Sequence, residues 1–396
     1  MSTQMATTAA EDRTLAQSSP SLSRGSMTPT LAPADRPRSV SVLPRIASEA
    51  DGQIALHHEP AQRYRSVGVL GTGGMGVVER AEDIDIGRPV AIKRLLPEAN
   101  HPLGVARFVG EIRIVGSLDH PNVVPIHDVG VDEQGGYFFV MKYVEGQTLA
   151  DIIDRLAAGD PEAHAFWTFE RRAELMIAVL QALEYAHERG VIHRDVKPEN
   201  IMVGRHGEIR LMDWGIAKRV GVAEPGEEAG ALIGTPAYMS PEQAACDELD
   251  IRSDLYSVSV TFHEFLALRH VLAHRSDTVV GLLAAVQEES PDVLALDTYD
   301  QTHQSIPPAE LRYFCKHGLA KDRAQRFQSA GEMIATLRRF ADGKTEVKCM
   351  YTATKRAFRE GGRLVDRHPH VGVALAGLNI SLVLTGLASL VYLAVG

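Results

Sequence analysis

Residues 191–203 read VIHRDVKPENIMV, a run of charged and amide side chains enclosed by apolar residues. His193 and Asp195 are followed by Lys197, two positions after the aspartate, and by Asn200, five positions after it. The intervening proline has no backbone N–H to donate, so this run is predicted to be a loop rather than a helical turn. An acid, a base and an amide in fixed order suit proton handling beside a metal-bound anion. A charged surface loop would explain any one of these residues, but not the whole string.

The overall composition is that of an ordinary soluble protein. The 396-residue chain carries a formal net charge of −10 and 45% hydrophobic residues. A net negative charge argues against nucleic acid as the main partner. The three cysteines, Cys246, Cys315 and Cys349, are odd in number and widely spaced. We therefore expect free thiols in a reducing compartment, and neither a disulfide framework nor a zinc site.

The segment 71–76, GTGGMG, stands between valine-containing stretches, which predicts a strand, a glycine turn and a second strand. Glycines let backbone amides approach phosphate oxygens with no side chain in the way. A dinucleotide-binding oxidoreductase would use the same G-x-G-x-x-G pattern. That alternative fails because the next residues, VVER, do not open a long helix. In addition, VAIK at 90–93 stands where the acidic residue of that fold would be expected.

Five segments occur in the order and at the spacing typical of protein kinases. They are GTGGMG at 71–76, VAIK at 90–93, HRDVKPEN at 193–200, IRLMDWG at 209–215 and GTPAYMSPE at 234–242. The chain therefore resembles the protein kinase superfamily over residues 63–340, and in particular the membrane-anchored, eukaryotic-like serine/threonine kinases of bacteria. The resemblance implies an α+β, bilobal fold. An antiparallel β-sheet is expected in the small lobe at 63–145, and mostly helices in the large lobe at 146–340.

The resemblance also implies a reaction, the ATP-dependent phosphorylation of serine or threonine hydroxyls on protein substrates. Asp195 would accept or orient the proton of the attacking hydroxyl, and Lys197 would neutralise charge on the transferring phosphoryl group. Asn200 and Asp213 would bind magnesium, or manganese in its place. The segment GTPAYMSPE at 234–242 would be the substrate-docking segment, and its Thr235 would bond to Asp195 or Lys197. The lysine and the threonine together resemble the serine/threonine-specific branch of the family.

Lys93 would hold the α- and β-phosphates of the nucleotide, and Glu111, on the small-lobe helix, would pair with Lys93 and orient it. Lys93 directly follows an apolar triplet, which disfavours the alternative of a solvated lysine at a strand edge. Glu111 lies one position ahead of the apolar stripe of a helix predicted over 107–118. The other ATP-binding residues implied by the resemblance are Leu70, Gly71, Thr72, Gly73, Gly74, Met75, Gly76, Val78, Ala91, Met141, Val144 and Met202.

Further positions have structural roles in the resemblance. Asp254 would hold the backbone of the catalytic loop, which is the segment HRDVKPEN at 193–200, and Arg326 would form a buried pair with Glu242. Trp214 stands where phenylalanine is usual, and its indole N–H needs a partner. Because the metal ligand beside it is retained, we do not interpret this change as a sign of inactivity. Apolar patterns also predict a buried strand over 137–144 and a core helix over 171–189 that Gly190 ends.

Residues 219–234 contain no serine, threonine or tyrosine, so no phosphate can be attached there before Thr235. In regulated kinases the arginine beside the catalytic aspartate, here Arg194, often meets a phosphate on this loop. One hypothesis is that the loop carboxylates stand in for the phosphate; these are Glu224, Glu227 and Glu228. A solvated loop with incidental charge is the alternative, and the sequence slightly favours it.

The first 60 residues are dominated by Ser, Thr, Ala and Pro, and they lack an apolar run long enough for a signal peptide. Such an arm buries too little apolar area to offset its chain entropy, so it is predicted to be disordered. Its hydroxyls are hypothetical autophosphorylation sites, although such linkers are also common without that role.

The C-terminal residues predict membrane attachment. The linker 341–370 is rich in lysine and arginine, and 371–395 contains no charged residue. This uncharged run exceeds the roughly 20 residues that cross a bilayer, and a buried core helix is the disfavoured alternative. Positive residues on its N-terminal side predict a single-pass helix among membrane lipids of the cell membrane, with the kinase domain cytoplasmic. With one residue after it, we expect no external sensor domain on this chain.

Two interpretations concern association and activity. Small residues recur every fourth position of the uncharged run, at Gly377, Ser381, Thr385 and Ser389. That spacing lets two membrane helices approach closely and favours a homodimer. The leading interpretation of the chain is an active kinase in membrane-associated signalling. Its rival is a nucleotide-binding scaffold that recruits partners without phosphorylating them, and the retention of every catalytic position favours the kinase.

Overall fold

The structure, a computed structural model, describes residues 45–48, 54–57, 62–132, 135–220, 232–272, 278–299 and 302–343. Several predictions concern residues outside these ranges: the arm before 45, the loop carboxylates Glu224, Glu227 and Glu228, the basic linker from 344 onward, and the uncharged run 371–395. No helix within the described ranges has the length and apolar character that a membrane span requires.

Part of the N-terminal arm forms a small hairpin. Strands β1 (Arg45–Ser48) and β2 (Ile54–His57) pair antiparallel, with Ile46 opposite Leu56. The prediction of a disordered arm is therefore wrong for these residues. β1 is apolar at Ile46 and Ala47, and β2 is apolar from Ile54 to Leu56. The argument from average composition took no account of such short apolar stretches.

The small lobe is a five-stranded antiparallel sheet. Its strands are β3 (Tyr64–Thr72), β4 (Gly76–Asp83), β5 (Arg88–Leu95), β6 (Ile126–Val131) and β7 (Tyr137–Lys142). They lie in the order β3-β4-β5-β7-β6. Alternation along β5 buries Val90 and Ile92 on one face, while Ala91 packs in a separate cluster on the other face. The register of β5 therefore decides which side chains face the second lobe.

The helix of the small lobe, α1 (Pro102–Gly116), starts five residues before its predicted start because proline is favourable in a first helical turn. It packs on the sheet through Phe108, whose ring centroid lies 5.3 Å from that of Phe139. Glu111 is also on this buried face, three residues after Phe108, and only 4% of it is exposed. Glu111 was predicted to lie beside the apolar stripe, and the structure instead places it within the buried face.

The large lobe is mostly helical. Its helices are α2 (Leu149–Ala157), α3 (Pro161–Phe166), α4 (Phe169–His187), α5 (Pro241–Ala244), α6 (Ile251–Ala267), α7 (Val279–Glu288), α8 (Ala309–Gly318) and α9 (Ala330–Ala341). Its short strands are β8 (Gly146–Thr148), β9 (Val191–Ile192), β10 (Ile201–Gly204), β11 (Ile209–Leu211) and β12 (Lys218–Arg219). β10 pairs with β8 and β11, and β9 pairs with β12. The predicted bilobal α+β fold is confirmed.

Helix α4 runs through the core of the large lobe and delivers the chain to the catalytic loop. It begins two residues before its predicted start, because the Thr168 hydroxyl caps it by accepting a hydrogen bond from the Arg171 N–H. Leu175 and Leu183 lie on its buried face. Gly190 follows the helix with a φ of 68°, the left-handed conformation expected of a glycine at this position.

A buried ion pair joins the end of the substrate-docking segment to the turn before α9. The Arg326 guanidinium donates two hydrogen bonds of 2.8 Å to the two carboxylate oxygens of Glu242, as predicted. Both side chains are almost fully buried. Burial acts to raise the pKa of Glu242, but the bonds from Arg326 outweigh it and hold that pKa below its ordinary value. The pair therefore stays ionised inside the lobe.

Arg326→Met should lower the free energy of unfolding by about 3–5 kcal/mol, because it leaves the Glu242 carboxylate buried without its partner. Urea unfolding of the purified protein measures this loss. The double variant Arg326→Met/Glu242→Met should recover part of the stability, since no unpaired charge remains.

Arg205→Met is the matched control, because Arg205 pairs with Glu145 at 3.1 Å while both side chains are largely exposed. Exposed pairs contribute little, so this variant should unfold at nearly the wild-type urea concentration. Equal losses for Arg205→Met and Arg326→Met would contradict a special role for the buried pair.

Candidate active site

One buried carboxylate binds the backbone of the catalytic loop. Asp254, near the start of α6, accepts hydrogen bonds of 2.8 Å from the backbone N–H groups of His193 and Arg194. The predicted contact is thus confirmed. Arg194 adopts a φ of 70°, a left-handed conformation that costs energy in a non-glycine residue and persists only where the surroundings impose it. The two bonds to Asp254 supply that constraint.

Asp254 remains charged despite complete burial. Burial acts to raise the pKa of Asp254. The hydrogen bonds with His187 and with the backbone N–H donors act to lower that pKa and outweigh burial, so it lies below its ordinary value. The His187 Nε2 atom is 2.8 Å from the Asp254 carboxylate. A buried anion with several donors is well satisfied, so it forms a rigid anchor for the loop.

The proline of the loop does not prevent a helical turn. Residues Pro198–Asn200 form one turn of 3₁₀-helix, with the Asn200 N–H donating to the Lys197 carbonyl at 3.0 Å. The prediction of a loop without a helical turn was wrong here. Proline occupies the first position of the turn, where no N–H donor is required and its fixed φ is favourable.

Three of the predicted site residues meet directly around the Asp195 carboxylate. The Lys197 ammonium lies 2.7 Å from one Asp195 oxygen and 2.6 Å from the Thr235 hydroxyl. The Thr235 N–H donates to the other Asp195 oxygen at 3.0 Å. The substrate-docking segment is therefore bonded to the catalytic loop. A carboxylate held beside an ammonium in this way can take a proton from a hydroxyl, while the ammonium faces developing negative charge.

Each of the two predicted metal ligands contacts another residue of the site: Asn200 contacts Asp195, and Asp213 contacts Lys93. The Asn200 side-chain amide donates to the Asp195 carbonyl at 2.8 Å and to its carboxylate at 3.1 Å, which leaves the Asn200 amide oxygen as an acceptor. The Asp213 carboxylate is half exposed, and its residue has a φ of 54°. Oxygen ligands of this kind suit magnesium or manganese.

Within the described ranges, no group of three or more His, Cys, Asp and Glu residues is placed to hold a metal ion. An ion bound by Asn200 and Asp213 would therefore need further oxygen ligands, such as water or substrate phosphate. This donor set fits the way magnesium binds, with few protein ligands completed by phosphate and water oxygens.

The two lobes meet through a charge cluster. The Lys93 ammonium lies 2.6 Å from a Glu111 oxygen and 3.3 Å from an Asp213 oxygen. The predicted lysine–glutamate pair is therefore confirmed as a contact, and Asp213 of the large lobe joins it. Burial acts to lower the pKa of Lys93, but the charges of Glu111 and Asp213 outweigh it and raise that pKa. The lysine stays cationic and faces the cleft.

The glycine segment forms the tight turn between β3 and β4. The Gly73 N–H donates to the Gly76 carbonyl at 2.8 Å. At Gly76 a Cβ atom would lie 2.7 Å from the Arg94 carbonyl oxygen, so any larger residue would push β4 away from β5. Gly71 and Gly74 have open space around them. The turn is therefore closed at its base and open at its tip, where backbone amides can approach a ligand.

The predicted adenine-contacting residues come from both lobes. Val78 packs against Ala91 and Met141, which are adjacent across the paired β5 and β7. Val144 is buried at the connection between the lobes, and Met202 lies on β10. The remaining predicted contacts, Leu70, Thr72 and Met75, lie on β3 and its turn, and half of Leu70 is exposed.

Trp214 finds the partner that its indole requires. The indole N–H donates to the Leu211 carbonyl at 3.3 Å, and the ring stands edge-on to the His193 ring at 4.5 Å between centroids. Only 1% of Trp214 is exposed. The His193 ring is itself 2.9 Å from the Met212 carbonyl through Nε2. The larger aromatic residue is thus accommodated without displacing Asp213 from the lysine.

Two residues of the site were missed by the sequence analysis. His187 contacts the buried Asp254, and the Gln243 side-chain amide donates to the Arg194 carbonyl at 2.9 Å. Both act on the catalytic loop from distant elements, α4 and α5. A histidine near the end of a core helix and a glutamine in a first helical turn have no distinctive spacing, so the sequence carried no usable signal for either.

Arg194, whose position suggested an interaction with the following loop, donates from its guanidinium to the Ile216 carbonyl, so the chain just after Asp213 is bound to the catalytic loop. The carboxylates Glu224, Glu227 and Glu228 lie outside the described residues. Whether they replace a phosphate therefore stays a prediction.

Comparison with known proteins gives a consistent match. The family model of the protein kinase domain matches residues 64–336. A probable serine/threonine-protein kinase of Streptomyces coelicolor is 37% identical over 287 residues, which cover 71% of this chain and 40% of the relative. The serine/threonine-protein kinase PknB of Mycobacterium leprae is 34% identical over 288 residues, covering 72% of this chain and 44% of the relative. This chain thus spans less than half the length of these relatives.

Proposed function

This chain belongs to the protein kinase domain family, and from that premise we propose that it phosphorylates serine and threonine hydroxyls of proteins with ATP. The observation that carries the proposal is the contact set around Asp195. The Lys197 ammonium donates to both the Asp195 carboxylate and the Thr235 hydroxyl, and the Thr235 backbone N–H donates to the other carboxylate oxygen, all within 3.0 Å. Serine/threonine-protein kinases are also what the similar relatives are named.

In this proposal Asp195 orients the substrate hydroxyl and accepts its proton as the oxygen attacks the γ-phosphoryl group. Lys197 stabilises the negative charge that develops on the transferring group, since its ammonium is held by Asp195 and Thr235 at the same place. The bond between Lys197 and Thr235 also supports a serine or threonine acceptor, because it positions the substrate-docking segment at the catalytic aspartate.

Residues of the small lobe would bind the phosphates of the nucleotide. Lys93, kept cationic and oriented by Glu111, would bind the α- and β-phosphates, beneath the glycine turn. Asn200 and Asp213 would hold magnesium, or manganese in its place. When bound, such an ion neutralises phosphate charge and orients the γ-phosphoryl group. The adenine ring would lie between Val78 and Ala91 of the small lobe and Met202 of the large lobe.

The rival function, a nucleotide-binding scaffold without transfer activity, is less well supported. A scaffold has no need of a catalytic aspartate bonded to both a lysine and the docking segment. Here the catalytic loop is tied to Asp254, and the lysine–glutamate pair between strand and helix is formed. The arrangement is that of a site organised for transfer.

We also propose that residues 371–395 anchor the chain in the cell membrane with the kinase domain in the cytoplasm. The support is the sequence: an uncharged run of sufficient length follows a linker rich in lysine and arginine. Membrane lipids would then surround this helix. The small residues at every fourth position would let two copies pair and phosphorylate each other, including hydroxyls of the N-terminal arm.

The variant Asp195→Asn should lower phosphoryl transfer at least about 100-fold, because the proton acceptor is lost while the amide keeps the shape of the side chain. Transfer of labelled phosphate from ATP to a generic serine-rich protein measures this, with phosphoamino acid analysis of the product. Phosphoserine and phosphothreonine without phosphotyrosine are the expected products.

The control for this experiment is nucleotide binding. Asp195→Asn should bind ATP about as tightly as the wild type, whereas Lys93→Met should lose both binding and transfer. If both variants transferred phosphate as fast as the wild type, the activity would come from a contaminating kinase, and the proposal would lose its support. Nucleotide binding with no transfer by the wild type would favour the scaffold.

Membrane anchoring is tested by fractionation of cells that produce the chain. The full-length protein should stay in the membrane pellet after alkaline carbonate extraction, because a spanning helix is held by apolar burial rather than charge. A chain ending at residue 370 should become extractable if the basic linker alone attracts it to the membrane. Equal extraction of both chains would contradict the proposed span.

A further inference from the structure

An open cavity of about 830 Å³ lies in the large lobe, between α8, α9 and the turn before α9. Its floor is apolar: Leu311, Phe314, Phe327 and Leu337 line it and are at most 3% exposed. None of the residues assigned to catalysis or nucleotide binding lines it. The cavity is therefore a separate feature of the lobe.

One face of each helix forms the walls. Glu310, Phe314 and His317 follow one another at intervals of four and three residues along α8. Thr336 and Phe340 are four residues apart on α9. Residues at this spacing share a helical face, so the cavity is a groove between two helices. A groove of this kind suits a third helix that inserts an apolar stripe.

The chain itself leaves the fold at the edge of this groove. α9 ends at Ala341, one residue after Phe340, and Gly343 turns the chain with a φ of 68° and an N–H donated to the Phe340 carbonyl at 2.9 Å. The next residues begin the basic linker. They are covalently held beside the groove, so their effective concentration there is high without any further contact.

The linker has the pattern that the groove requires. Val347, Met350, Tyr351 and Phe358 stand at i, i+3, i+4 and i+11, which is one face of a helix. Cations follow on one flank of that face, at Lys344, Lys348, Lys355 and Arg359. The rim of the groove offers carboxylates as partners, from Glu310, Asp322 and Glu332.

The rim also carries cations. The ammonium of one of them, Lys321, is turned inward, donating to the Val286 carbonyl and, at 3.3 Å, to the Tyr256 hydroxyl. The Arg339 guanidinium donates to Thr336 of its own helix at 3.1 Å. The linker carries acids as well, at Glu346 and Glu360, on the flank opposite its cations. The linker thus carries cations that can face the carboxylates of the rim and acids that can face the cations of the rim.

We propose that residues 344–359 form an amphipathic helix that docks in cis into the groove between α8 and α9. The apolar stripe of the linker fills the groove, and its cationic flank meets the rim carboxylates. The docked linker fixes where the chain leaves the kinase domain. The distance between that domain and the proposed membrane helix is then set by the residues from 360 to 370 alone.

Disulfide trapping in the full-length protein tests the docking. Cys246 and Cys349 are first replaced by serine, while the fully buried Cys315 is kept. Thr336→Cys is then combined with Met350→Cys, which places one thiol in the groove and one on the apolar stripe. Mild oxidation should form this bond within one chain, identified by peptide mapping.

The matched control combines Met350→Cys with Arg338→Cys. Arg338 is on the exposed side of α9 and is two residues closer to Met350 in the sequence than Thr336 is. Random encounter would favour this control, whereas docking should give the Thr336→Cys pair at least about fivefold more bond. Equal yields would overturn the proposal. A bond that forms only between two chains would overturn it in favour of exchange between copies.

Hydrogen exchange gives a second readout that alters no groove residue. Met350→Asp places a charge in the apolar stripe and should speed amide exchange in α8 and α9 about threefold or more. Cys349→Asp adds the same charge one residue away, on the other side of the helical pattern, and should leave exchange unchanged. Identical exchange in both variants would overturn the docking.

Discussion

The hydrogen bonds that Asp254 accepts from two consecutive backbone N–H groups are the constraint on which the site depends. They hold Arg194 in a left-handed conformation, and that conformation aims Asp195 toward Lys197 and Thr235. A fully buried carboxylate is costly unless every lone pair is satisfied, so the same bonds make Asp254 rigid. His187 adds a third donor from α4, which is the core helix of the lobe.

A second charged cluster couples the lobes to this anchor. Lys93 pairs with Glu111 on the small-lobe helix and reaches Asp213 in the large lobe, so the helix, the sheet and the segment that carries Asp213 share one ammonium. Trp214, next to Asp213, packs against His193, whose backbone is bound by Asp254. The two clusters are thus linked by a single contact, and the position of Asp213 depends on that of the catalytic loop.

The sequence predicted those features that local rules or family motifs determine. The two lobes, the pairing of Lys93 with Glu111 and the buried pair of Glu242 with Arg326 were all expected and are present. The turn at Pro198–Asn200 was missed because a rule about proline inside helices was applied to a first helical position. His187 and Gln243 were missed because their contacts depend on how α4 and α5 pack, which no short-range pattern records.

Steady-state kinetics of Asp254→Asn test the central claim most directly. The amide replaces one acceptor oxygen by a donor, so one buried N–H of the loop loses its partner, at a cost of about 1–3 kcal/mol. If this cost falls on the geometry of the loop, kcat should drop about 10- to 100-fold while the affinity for ATP stays close to wild type. An unchanged kcat in a folded Asp254→Asn protein would contradict the claim that this carboxylate holds the catalytic loop in place.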